Sequence, residues 1–185
     1  MKRLILSTLT AAILGASAAA SADNLSIGFA DPLSSLDPQL NNHAGDRSVA
    51  LHFWDLLIEN KWNKLQPGLA VSWKPLDNTT WEFKLREGVK WQDGTPFTAD
   101  DLIYSYTRAR GVPGSVATYA GYLRTIDTMT AKDPLTLIIK TKAPNPDLPL
   151  NLASIHVVSK HVGEKSSTED YNSGKAMVGS GPYKW

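Results

Sequence analysis

No cysteine occurs anywhere in the sequence. Without it there is no disulfide to staple the chain, so stability has to come from an ordinary packed core, and there is no thiol for lipid attachment after a leader. Histidine is scarce too: His43, His52, His156 and His161 are scattered, and the close pair His156 and His161 has no carboxylate between its members. That spacing fits no common metal motif, and no cofactor is expected. Neither sign of charge dominates, with 19 basic against 18 acidic residues, which argues against nucleic acid or another polyanion as partner. P-loop, GxSxG, HExxH, GxGxxG and paired-cysteine signatures are missing, as are internal repeats and low-complexity tracts. Asp93, Asp100 and Asp101 are neighbours in sequence, but turn and cap duty accounts for them without paired-carboxylate chemistry. The expectation is a protein that is not an enzyme, with a secreted hydrolase as the alternative that a nucleophile motif would have favoured.

Long apolar runs are limited to one. Met1-Lys2-Arg3 is followed by an apolar stretch from Leu4 to Ala20 and the small-residue triplet Ala20-Ser21-Ala22. This reads as a secretory signal peptide over residues 1–22, cleaved before Asp23, and implies export to the periplasm. Ser7, Thr8, Thr10, Gly15 and Ser17 dilute the run, which disfavours the competing reading as a transmembrane anchor. Removing residues 1–22 deletes Lys2 and Arg3 and turns the formal charge of +1 into −1. A soluble monomer is expected.

Beyond the leader, Leu25 to Phe29 alternates as a strand, and the Pro32- and Pro38-containing stretch from Asp31 to Asp46 reads as a long loop of the kind that carries ligand contacts. A helix is predicted from an Asp46 N-cap to about Glu59, with Val49, Phe53, Leu56 and Leu57 on one face. Leu69 to Trp73, Thr80 to Arg86 and Leu135 to Lys140 are strand candidates that can form one antiparallel sheet. In the second of them Trp81, Phe83 and Leu85 face one way and Glu82, Lys84 and Arg86 the other.

The segment Gly88 to Arg110, GVKWQDGTPFTADDLIYSYTRAR, combines a turn, a helix start and a helix. Asp93-Gly94 is a turn pair, Thr98 is placed to cap a helix beginning at Ala99, Asp101 completes a capping box, and Phe97 and Leu102 hold staple positions. Gly111 ends the helix after Arg108 and Arg110, which lie at its negative end. This chemistry is architectural. Tyr119 and Tyr122 then follow a glycine-rich loop, and two readings stand side by side: contacts to a ligand, or one side of a short helix against the core. KAPNPDLPL reads as a rigid crossing, Gly163 to Lys175 as a polar stretch, and GSGPYKW as a turn entering a strand, with an unpaired sheet edge expected where the chain stops.

PGLAVSW (Pro67 to Trp73), WEFKLREGVKWQDGTPFTADDLIYSYTRA (Trp81 to Ala109) and GSGPYKW (Gly179 to Trp185) closely resemble the oligopeptide- and dipeptide-binding proteins of ABC transporters, the extracellular solute-binding proteins of family 5. SLDPQ (Ser35 to Gln39) and FWDLLIE (Phe53 to Glu59) resemble that family's opening loop and helix. The resemblance implies an α/β, two-lobed periplasmic binding protein type II fold, with only part of the first lobe and its inserted subdomain present. Residues 23–54 would be the first segment of the main lobe, 55–177 the inserted subdomain, and 178–185 the return to the main lobe. Implied partners are a peptide or other small solute and the membrane permease subunits; nickel chelates, opines, oligosaccharides and glutathione are the other cargoes within the family. Implied substrate-binding residues are Tyr119, Asn41 and Asn42, the last standing where relatives place an acidic residue. The residues that anchor peptide termini would lie beyond Trp185. A truncated or frameshifted product without a transport role is the remaining alternative.

Overall fold

The computed structural model describes Gly28 and residues 31–185. The signal peptide and, apart from Gly28, the strand expected at 25–29 lie outside the described residues. Twelve elements follow: α1 (Ala44–Ala50), β1 (Ile58–Lys61), β2 (Lys64–Pro67), β3 (Ala70–Pro75), β4 (Thr80–Leu85), α2 (Ala99–Arg108), α3 (Ala120–Leu123), β5 (Ile126–Asp133), β6 (Thr136–Thr141), α4 (Leu148–Leu152), α5 (Lys160–Gly163) and α6 (Thr168–Asn172).

The centre of the fold is an antiparallel sheet in the order β3-β4-β6-β5. Its register sets Phe83 opposite Leu137 and Trp81 opposite Ile139. Phe83, Leu85, Leu137 and Ile139 are buried, and helix α2, packed along β5 and β6, adds Leu102 and Tyr106 to the same core. Strand alternation and helix periodicity thus meet in one core, as the spacing of apolar residues requires. On the other side Glu82 lies between Lys74 (3.7 Å) and Lys132 (3.8 Å), so that face carries charge. The three expected strands are present. The sheet has a fourth, β5, which the sequence conceals because Asp127, Thr128, Thr130, Lys132 and Asp133 surround the apolar Ile126 and Met129.

Helix α2 begins as the capping box requires, with the Asp101 carboxylate accepting the Thr98 N–H at 2.9 Å. A second bond, from the Lys160 N–H to Asp101 at 2.8 Å, ties this helix start to that of α5. Phe97 and Leu102 are both buried at the staple.

The helix expected from Asp46 to Glu59 is much shorter. It starts after a His43 N-cap and ends at Ala50. Leu56, Leu57 and Ile58 are three consecutive buried residues, spread over about 200° of a helix surface, which is wider than an amphipathic stripe but suits an extended segment covered on two sides. The chain therefore leaves the helix, turns, and runs into β1, which pairs with β2 as a hairpin. Asp46 is the third helical residue, accepting the Ser34 N–H at 2.8 Å.

Residues 178–185 form no strand. They lie instead along the backbone after α1: the Gly181 N–H donates to Phe53 O at 2.8 Å and the Tyr183 N–H to His52 O at 3.0 Å. Gly179 sits so close under the Phe53 carbonyl that any Cβ would collide with backbone.

Candidate functional site

Within the stretch from Asp31 to Asp46, expected as a long connecting loop, Ser35, Asp37 and Gln39 are buried. Asp37 is held by the Arg108 guanidinium, which donates to Oδ1 at 2.9 Å and also to Oδ2, and by the Thr168 hydroxyl at 2.9 Å. Arg108 also donates to Gln39 Oε1 at 3.1 Å and lies 5.0 Å from the centre of the Tyr171 ring. The Gln39 amide donates to Ser105 Oγ at 2.7 Å and to His156 O at 2.9 Å. Asn172 Oδ1 accepts from the Ser35 hydroxyl and the Leu36 N–H, both at 2.8 Å. A buried carboxylate and guanidinium with their hydrogen-bonding capacity used in this way fix a loop rigidly. Sequence reasoning assigned Arg108 to the helix dipole and missed its partner, since no local pattern joins positions 71 residues apart.

Rigid anchoring of Asp37 and Gln39 presents the next residues, Asn41 and Asn42, to the loop before α3. Asn42 donates its backbone N–H to Ala117 O at 2.8 Å and its side-chain amide to the Tyr122 hydroxyl at 3.3 Å. Asn41 Oδ1 accepts the Val116 N–H at 3.1 Å, and its carbonyl accepts the Tyr119 hydroxyl at 3.4 Å. The two tyrosine rings lie 6.3 Å apart. Asn41, Asn42 and Tyr119 therefore share one cluster, joined by Tyr122. Their exposure differs: Tyr119 and Asn41 are buried, while Asn42 and Tyr122 are half-buried. Burial pushes the Tyr119 hydroxyl up to about 12, so it remains a neutral donor across physiological pH. Tyr119 is buried beside the short helix α3, and Tyr122 reaches the edge of a groove. That groove, about 540 Å³, is also lined by Thr118, Arg124, Asn145 and Asn151. The cluster offers neutral amides and phenols, which hydrogen-bond a polar ligand without activating a nucleophile.

Residues 64–185 match the family model for the bacterial extracellular solute-binding proteins, family 5, middle region. The chain belongs to this family. Among relatives of family 5, it is 32% identical over 175 residues to the periplasmic oligopeptide-binding protein OppA of Salmonella typhimurium, covering 88% of this chain and 31% of the relative. Among solved family-5 structures it is similar to OppA of Burkholderia pseudomallei, with a TM-score of 0.73 and 26% identity over 82% of this chain and 33% of that one. The murein tripeptide-binding protein MppA of Escherichia coli gives a TM-score of 0.73 and 29% identity over 83% and 34%. The chain thus spans about a third of the length of the relatives it matches. The mixed helix and strand arrangement is part of the two-lobed periplasmic binding protein fold. Among the described residues no helix is long and apolar enough to cross a membrane.

Proposed function

We propose that this family-5 chain is the first-lobe portion of a periplasmic solute-binding component of an ABC transporter for peptides, which holds cargo between two lobes and passes it to membrane permease subunits without transforming it. The observation that carries the reading is the docking of the Asn41-Asn42 loop on Tyr119 and Tyr122, which holds the Tyr122 phenol at the edge of a groove that Thr118, Asn145 and Asn151 also line. Groups of this kind suit the main chain of an extended peptide, whose amides need partners and whose side chains need room. The relatives support the cargo class. They are named as oligopeptide- and murein-peptide-binding proteins, and the solved Haemophilus influenzae OppA is a complex with the peptide RPPGFSPFR.

Residues 23–54 and 178–185 belong together in the main lobe, with 55–177 inserted between them. The bonds from Gly181 and Tyr183 to residues 52 and 53 support that division. Residues 1–22 direct export. Asn41, Asn42 and Tyr119 shape the mouth of the site, Asn42 from its half-exposed position and the other two from beneath. Interrupting the gene in an amino-acid auxotroph of its host tests the assignment: growth on a supplied tripeptide should fall and return with a plasmid copy. Equal growth of the interrupted strain on every peptide offered would sink it.

A further inference from the structure

A second cavity, sharing none of the residues Asn41, Asn42, Tyr119 and Tyr122, lies between α1, β1 and the turn at 153–156 and encloses about 580 Å³. That volume is in the range of small-molecule sites. Its apolar lining comes from Leu51, Trp54 and Leu56, and its charged lining includes Arg47 and Asp55. Glu59 and Lys61, also at this cleft, pair with each other and so compensate their own charges.

Arg47 and Asp55 are not compensated in that way. Among the described residues Arg47 closes on no carboxylate, and it reaches Asn42 Oδ1 only at a long 3.5 Å. Asp55 is half-buried, forms no ion pair among the described residues, and has the neutral Ser180 hydroxyl beside it. Loss of solvent pushes its carboxyl above the ordinary carboxylate range, outweighing the hydrogen bond from Ser180. The buried rings of Trp54 and His156 add further unmet demand, since neither has a hydrogen-bond partner for its ring nitrogens among the described residues. An orphaned donor in a native interior calls for a partner.

We propose that this cleft binds the zwitterion of an α-amino acid with an apolar side chain, its carboxylate on Arg47, its ammonium on Asp55, and its side chain over Leu51, Trp54 and Leu56. A ligand with a single charge leaves either Arg47 or Asp55 unmatched, and a fully polar one leaves the apolar lining wet. The amino-acid zwitterion meets both charges and the lining at once. The proposal does not depend on the transport reading.

The test is a nitrogen-15 NMR titration of the full chain with L-leucine, followed at the Trp54 indole N–H, which Trp54→Phe assigns. The expected result is a saturable shift with a dissociation constant of about 1 mM. N-acetyl-L-leucine, lacking the ammonium, and L-leucinamide, lacking the carboxylate, should each bind about tenfold more weakly, as should L-leucine to Arg47→Ala and Asp55→Asn. Because the blocked compounds act on the unaltered chain, the result stands even if a variant folds poorly. Equal binding of either blocked compound, or no saturable shift with leucine, overturns the proposal. Either of those results would leave the peptide-growth test of the transport reading untouched.

Discussion

A guanidinium and a carboxylate withdrawn from water lose several kcal/mol of hydration each, and they recover it through each other. Asp37 and Arg108 are in that position, so removing one strands the other: Arg108→Ala should cost roughly 3–5 kcal/mol in chemical denaturation. Replacing both with apolar residues of similar volume should cost much less, which separates the penalty of a stranded charge from the worth of the pair. His156 makes the opposite case. Burial first, then the nearby Arg47, drop its imidazole to about 3 from an ordinary 6.5, so the folded chain holds it neutral. Between these values the unfolded chain binds a proton that the folded chain refuses, and stability falls as pH falls. From pH 7 to pH 5 the His156 contribution should be a loss of about 2 kcal/mol. Urea denaturation at the two pH values, compared with His156→Leu, should show the variant with that much less pH dependence; identical slopes would refute it. Nothing in the spacing of four scattered histidines distinguished this one, because its burial is created by strands and loops far away in sequence.

Elements were legible where their signals are local. The Thr98-Asp101 box, the Phe97-Leu102 staple and the alternation in β4 can be read from a few neighbouring residues, and each has its counterpart in the fold. Thr98→Ala should cost about 1 kcal/mol. Asp101→Ala should cost more, about 3 kcal/mol, because this charged acceptor also serves Lys160 at the start of α5. Thermal melts should rank the two in that order, and the reverse ranking would remove the link between α2 and α5. The β1–β2 hairpin was not legible, because its turn residues are Trp62 and Asn63 in place of the usual Asn-Gly. Both occupy left-handed backbone, at φ of 55° and 59°, and Trp62 is 95% exposed. A bulky residue is disfavoured in that conformation, which a tight two-residue turn between right-twisted strands demands at both positions. Installing Asn-Gly at 62–63 should therefore stabilise the fold by about 1 kcal/mol, read as a higher urea midpoint. A lower midpoint would mean that the Trp62 ring makes a contact worth more than the strain.

For the whole molecule, the family resemblance reached further than periodicity did. Motifs at Pro67 to Trp73, Trp81 to Ala109 and Gly179 to Trp185 pointed to the fold, whereas the hydrophobic pattern alone turned the run from Trp54 to Ile58 into helix. The candidate site was legible in part: Asn41, Asn42 and Tyr119 do meet, but the buried anchor beneath them was invisible, since its members are polar residues that a pattern assigns to the surface. A site proposed to close between two lobes cannot enclose a peptide with one. Calorimetry of this chain with tripeptides should accordingly show binding no tighter than about 1 mM, and a constant near 10 μM would mean that the second lobe is dispensable.

The bond from Thr168 to Asp37 joins residues 131 apart, and the Asn172 contacts to Ser35 and Leu36 span slightly more. During synthesis at about 5–20 residues per second, Asp37 would wait roughly 7–26 s for its last partner to be made. Loop closure over such distances is also slow and entropically costly. The loop around Asp37 consequently stays unanchored until Thr168 to Asn172 have been made, and a translation pause or a cut upstream of Thr168 would leave Arg108 and Asp37 to find each other without the segment that completes their cage.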